Sequence, residues 1–76
     1  MAPISKLENE LTGTVIFYAD DKGWGFIRPD EGGADLFAHA KSLIGASSLM
    51  QGQRVELDEV FDQQRGKYRA ADVRVL

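Results

Sequence analysis

An all-β fold, a small barrel or sandwich of five short strands, is predicted by three observations. Five stretches rich in β-branched and aromatic residues alternate in polarity with period two. Clusters of Gly, Asp, Pro and Gln separate them at short intervals. No stretch after Leu11 carries a helical period over a helix's length, so strands must pack on strands.

Met1 to Leu11 stands apart. Ser5-Lys6-Leu7-Glu8 fits a capping box, and Ile4, Leu7 and Leu11 fit a helical stripe. A helix this short is marginal in water, so residues 1–11 are expected to form a flexible arm or linker before a domain over 12–76. Thr12 to Ala19 reads as the first strand. Asp20-Asp21-Lys22-Gly23 is a turn in which Gly23 is free to take positive φ. Trp24 to Arg28 is the second strand, Pro29 to Gly33 a turn, and Asp35 to Ala40 the third strand, which completes an antiparallel meander. Lys41 to Gln51 breaks the period. A helical turn is expected at Lys41–Ile44, with Leu43, Ile44 and Leu49 available to plug a barrel end. In the fourth strand, Gln53 to Phe61, Val55 and Leu57 alternate with Arg54, Glu56 and Asp58. Strict alternation would next bury Glu59, so a bulge or strand end is expected near Val60. Asp62 to Gly66 is the last turn, and Lys67 to Val75 the fifth strand, with Val73 and Val75 on one face.

The totals bound the chemistry. The 76 residues make one domain, with a core that hides only about 60% of the unfolded surface. No cysteine and one histidine leave no disulfide and no expected metal site. No apolar run reaches the length of a membrane span and Met1 to Leu11 has no signal-peptide core, so no membrane is expected and the cytoplasm is the expected location; no cofactor is expected either. Nine basic against twelve acidic residues give a net charge of −3, which argues against duplex binding driven by phosphate neutralisation. Catalysis is not expected. His39 has no Ser or Cys nucleophile placed by motif, and the Gly-rich turns lack a phosphate-loop ending.

The chemistry concentrates in two neighbouring strands. In Lys22-Gly23-Trp24-Gly25-Phe26-Ile27, alternation puts Trp24 and Phe26 on one face. In Asp35-Leu36-Phe37-Ala38-His39 it puts Phe37 and His39 together. A period-two aromatic stripe is a common core pattern. Glycines on both sides of Trp24 and a titratable His39 in the stripe favour a ligand-facing surface instead. Every nucleobase has a π face, so such a surface suits single strands without regard to sequence. Lys22 stands beside it to meet phosphate.

These blocks resemble the cold-shock domain family. Lys22–Ile27 is similar to its first ribonucleoprotein motif, usually Lys-Gly-Phe-Gly-Phe-Ile, and Leu36–His39 to its second. Gly13-Thr14-Val15-Ile16-Phe17-Tyr18, Gly52-Gln53-Arg54-Val55 and Ala70-Ala71-Asp72-Val73 resemble three further family segments, in order and with family-like gaps. The resemblance implies a five-stranded antiparallel barrel of the oligonucleotide/oligosaccharide-binding (OB) type. It implies binding of single-stranded RNA or DNA on Phe17, Lys22, Trp24, Phe26, Phe37 and His39, with Tyr18, Asp35 and Arg65 as secondary contacts. It further implies an RNA chaperone or a regulator of transcription or translation. Lys22, Arg28, Lys41, Arg65 and Lys67 are candidate rim charges. Parity would put Val15 with Phe17, yet the family buries that valine; a bulged first strand reconciles the two. Ala40 stands where the family commonly has an aromatic, Ile16 where it has Lys, and Ala19 where it has Asn. Those departures and the acidic balance support the alternative, a protein-interaction module on the same barrel.

Overall fold

The computed structural model describes residues 10–76. Five strands, β1 (Glu10–Ala19), β2 (Trp24–Pro29), β3 (Leu36–His39), β4 (Arg54–Asp62) and β5 (Lys67–Val75), close into a barrel in the order β1-β2-β3-β5-β4. The expected strands are all present. β1 begins two residues before the expected Thr12, because Glu10 and Leu11 pair with Asp58 and Leu57 of β4. The rest of the expected arm lies outside the described residues.

The barrel is mixed rather than wholly antiparallel. Strand directions cannot alternate all the way round a closed ring with an odd number of strands. One neighbouring pair must therefore run parallel, and here it is β3 with β5, joined at Phe37 and Arg69. The long connection after β3 helps this closure. It opens with a short 3-10 helix, Ala40–Ser42, one residue earlier than the expected helical turn. It then forms a parallel bridge from Leu43 to Val73.

The core consists of Val15, Ile27, Leu36, Ala38, Leu49, Val55, Leu57, Ala70 and Val73, with no buried charge among the described residues. Leu49 plugs the barrel as expected and Leu43 packs against the core, whereas Ile44 is exposed. Val73 is buried but Val75, two residues on, lies exposed near the end of the chain.

Two register shifts shape the barrel. In β1 the extra residue is Ile16: Val15 pairs with Ile27, and Phe17 already pairs with Phe26. A bulge of this kind reverses side-chain parity. It lets Val15 point into the core while Phe17, two residues later, points out and is 46% exposed. The second shift lies in β5 and not, as expected, near Val60 of β4. Between the pairs Glu56–Arg74 and Asp58–Ala71, β5 has one residue more than β4. Asp72 takes φ 50 there, a left-handed conformation that Asp tolerates better than most residues. β4 instead keeps its alternation past Leu57 and runs beyond the barrel mouth, so Glu59 on the inward side meets solvent.

An exposed ion cluster ties the β2–β3 turn to β1 and β4. Arg54 donates from Nη1 and Nη2 to the two Asp30 oxygens at 2.7 and 2.6 Å, and from Nη1 to Thr14 Oγ1 at 2.9 Å. Thr12 Oγ1 donates to Asp30 Oδ2 at 2.7 Å. Hydrogen bonds from Arg54 and then Thr12 hold the Asp30 carboxyl well below the usual carboxylate range.

Candidate nucleic-acid interface

Antiparallel register builds the site. Trp24 lies opposite His39, and Phe26 opposite Phe37, across β2 and β3. The bulge at Ile16 brings Phe17 opposite Phe26 from the other side. The five rings touch in sequence: Phe17–Trp24 at 5.8 Å, Trp24–Phe26, Trp24–Phe37 and Phe26–Phe37 at 5.9 Å, and Phe37–His39 at 6.5 Å between centroids. Their mutual tilts, from 32° to 83°, make edge-to-face and tilted contacts that hold each ring against its neighbours. The opposite side chains of the same strands, Ile27, Leu36 and Ala38, form the core. The aromatic stripe is thus the outer face, as expected, and the core alternative does not hold.

Gly25 acts differently from expectation, whereas Gly23 takes the expected positive φ. A Cβ on Gly25 would lie 2.1 Å from the Phe17 carbonyl oxygen and 2.7 Å from Tyr18 Cδ1, so this glycine makes room for β1 rather than for a ligand. Gly23 takes φ 76 and donates to the Ala19 carbonyl at 2.8 Å, which closes the turn that carries Lys22. Its own carbonyl accepts from the Ala40 N–H at 2.8 Å and ties the turn to the short helix after His39.

His39 is exposed, and its Nδ1 accepts the Lys41 N–H at 3.1 Å. In the neutral ring the proton therefore sits on Nε2, a donor free to meet a base. Arg65 is placed by its turn. Asp62 accepts at Oδ1 from the Gln64 and Arg65 N–H groups at 3.0 and 3.3 Å, and at its carbonyl from Gly66 at 2.8 Å. The guanidinium then rests 4.2 Å from the Phe37 centroid, a cation–π contact that puts positive charge on the ring face.

Two secondary candidates are engaged elsewhere. Tyr18 pairs with Gly25 on the inner side and packs against the core. Its hydroxyl is buried with no hydrogen-bond partner, and burial, then the Asp20 carboxylate, pushes its pKa up. Asp35 Oδ1 accepts from Arg28 Nε at 3.2 Å, which occupies that acceptor and holds Arg28, on the Trp24 and Phe26 face, at the far end. Among the remaining rim candidates, Lys22 is exposed in the first turn. Lys41 lines a cleft of about 590 Å³ beside Phe37 and His39. Lys67 lines a separate groove.

Sequence reasoning did not single out two features. Arg69, the register partner of Phe37, lines the same cleft as Lys41. Phe61 and Tyr68 form an exposed edge-to-face pair at 5.2 Å. Their positions on either side of the last turn carry the signal: a hairpin centred on Gln64 and Arg65 pairs them directly.

The 'Cold-shock' DNA-binding domain family matches residues 11–76. Cold shock protein CspA of Rhizobium meliloti is 43% identical over 65 residues, 83% of this chain and 94% of the relative. Cold shock-like protein CspG of Shewanella violacea is 40% identical over 72 residues, 92% of this chain and all of the relative. Glycine-rich protein 2 of Nicotiana sylvestris is 46% identical over 63 residues, 80% of this chain but 29% of that longer protein. The solved structure of drosophila Unr CSD456 superposes with a TM-score of 0.74, covering all of this chain and 31% of that one; at 20% identity it speaks to the fold alone. Cold-shock proteins bind nucleic acid and catalyse no reaction. An outward aromatic cluster on β1 to β3 of an OB-type barrel, together with these matches, places the chain in the cold-shock domain family.

Proposed function

We propose that this protein binds single-stranded RNA or DNA by stacking successive bases on Phe17, Trp24, Phe26, Phe37 and His39, with Lys22 and Arg65 following the phosphates. The observation that carries the reading is the unbroken contact of these five rings on the outer face of three strands. Base stacking on aromatic side chains is worth about 1–3 kcal/mol per base and tolerates any sequence. Paired bases hide their π faces, so duplexes are poor ligands, and the acidic balance weakens any purely electrostatic hold. Holding RNA single-stranded opposes hairpins without ATP, which makes the protein an RNA chaperone in the cytoplasm that acts on transcription or translation.

Trp24 reports on the site directly, because it is the only tryptophan. Titration with short homopolymeric single strands is expected to quench its fluorescence saturably, with matching duplex competing poorly. Unchanged emission, together with no binding by an independent method, refutes the proposal and favours a protein-docking role for this face.

A further inference from the structure

A group of polar side chains borders the aromatic face at the parallel junction of β3 and β5. The cleft there, about 590 Å³, is lined by Phe37 and His39 from β3 and by Ala71 and Asp72 from β5. Consecutive residues of a regular strand point to opposite faces. Ala71 and Asp72 both reach the cleft because the β5 bulge falls here, between buried Ala70 and buried Val73. Bulges re-aim side chains in this way, and the left-handed φ 50 of Asp72 belongs to this one.

The charges of the cleft are mixed, and not all of them are free. Asp62 is engaged: Oδ1 accepts from the last turn, and Oδ2 lies 4.0 Å from Arg69 Nε. Arg69 Nη1 donates to the Ala70 carbonyl at 3.4 Å, which leaves Nη2 without a partner among the described residues. The Lys41 ammonium and the Asp72 carboxylate line the cleft and are also without a partner among the described residues. A free carboxylate beside these cations disfavours a phosphate and suits a neutral ligand with acceptors at one end and donors at the other. Arg69 stands opposite Phe37, and Asp72 precedes Val73, which bridges to Leu43. Under about 10 Å of strand separates Arg69 from Asp72, at ~3.3 Å per residue, so one base reaches both. Guanine presents N7 and O6 acceptors, then adjacent N1–H and N2–H donors. The acceptors match a guanidinium or ammonium, and the paired donors match both oxygens of a carboxylate. Adenine, cytosine and thymine each lack that adjacent pair of donors. We propose that this cleft selects guanine at one position of a bound single strand, with Asp72 accepting from N1–H and N2–H while Arg69 and Lys41 donate to O6 and N7. This selection rests on the single-strand binding proposed above and adds to it, because stacking alone tolerates any sequence.

The test titrates the full chain into fluorescein-labelled short oligothymidine strands, followed by anisotropy. Each strand carries one substituted base, moved along the strand from probe to probe. At one position guanine is expected to bind about tenfold tighter than adenine, a purine that stacks comparably but presents the wrong edge. Hypoxanthine there, which lacks the 2-amino group, and 7-deazaguanine, which lacks the N7 acceptor, should each lose most of that gain. Asn tolerates a left-handed φ as Asp does, so Asp72→Asn should keep a cooperative melt while the guanine-to-adenine ratio falls to about one. A ratio near unity at every position overturns the proposal, as does selection of cytosine or an unchanged ratio in folded Asp72→Asn. Equal losses for both strands in Arg69→Gln, with the ratio intact, assign the cleft to a phosphate and also overturn it. Full affinity of the hypoxanthine and 7-deazaguanine strands does the same on the unaltered protein, whether or not a variant folds. If no strand binds, single-strand stacking falls and guanine selection with it; binding without selection overturns the selection alone.

Discussion

The barrel carries two exposed aromatic groups, and their rims differ. Phe17, Trp24, Phe26, Phe37 and His39 spread over three strands, with Lys22 at one end and Arg65 resting on Phe37. Phe61 and Tyr68 sit on one hairpin, beside Glu31, Asp35 and Glu59. Exposure and ring contact are common to both. The number of platforms and the sign of the neighbouring charge are not, and these decide which polymer each surface suits. An aromatic patch becomes a nucleic-acid surface when cations, not carboxylates, stand where phosphates would pass.

The sharpest way to break this comparison is to remove a platform from each side. Phe37→Ala is expected to weaken single-strand affinity by about tenfold to a hundredfold, from ~1–3 kcal/mol of stacking. Phe61→Ala should leave it unchanged. Equal losses in an oligonucleotide titration would erase the distinction between the patches. A thermal melt of Phe37→Ala should still show a cooperative transition, because the core lies on the opposite face of β3.

Adding a platform sharpens the comparison from the other direction. Ala40 follows His39 at the start of the short helix and is only partly buried. Ala40→Phe is expected to tighten binding of a short pyrimidine strand, by less than the loss on deleting Phe37. Unchanged or weaker binding would show that the ligand path does not reach this position.

Charge deletion comes next. Lys22→Ala should lower affinity by less than the loss of Phe37, because an exposed phosphate contact is screened by salt. In the intact protein, log affinity against log salt should slope by about −0.7 per phosphate contact on a single strand. A steep slope typical of many contacts would mean that charge, not stacking, distinguishes the two patches.

The smallest effect on binding is expected at the Asp30–Arg54 cluster, which touches neither patch. Asp30 has a depressed folded-state pKa, caused first by the Arg54 hydrogen bonds. Such a group contributes stability above its unfolded pKa and loses that contribution as pH falls through the folded one. Asp30→Asn should therefore melt earlier than the parent near neutral pH, with the gap closing as pH drops below the ordinary carboxylate range. Single-strand affinity at neutral pH should not move. A constant gap across that range would mean that the cluster's hydrogen-bond geometry, not its charge, matters.

Much of this was legible in the sequence, because alternation and turn chemistry are local signals. The five strands, the Gly23 turn and the outward aromatic set follow from period two and from resemblance. The bulge that frees Phe17 was legible only as a conflict between the parity of Val15 and its burial. The bulge at Asp72 was not, because strand β5 carries no such conflict in its own pattern. It becomes visible only when β4 is paired beside it. The inward turn of Tyr18 and the capture of Asp35 by Arg28 depend on contacts between strands, which no single-strand pattern encodes. The Phe61–Tyr68 pair was hidden because Glu59 interrupts the apolar alternation just where β4 leaves the barrel.

The parallel junction of β3 and β5 has a consequence for how the molecule breathes. It is the thinnest part of the wall: one ladder position at Phe37 and Arg69, then a bridge at Leu43 and Val73 where Ile44 donates to the Val73 carbonyl at 2.8 Å. Both contacts join residues far apart in the chain, so they form late and open early compared with the hairpins. Amides along this junction should exchange with solvent sooner than those of the β1–β2 ladder. Phe37 and the Arg65 that covers it come from opposite sides of the junction, so a strand held by both bridges it. Occupancy then closes the wall as well as filling the face, and the slow-exchanging part of the barrel should grow across this line when single strands are bound.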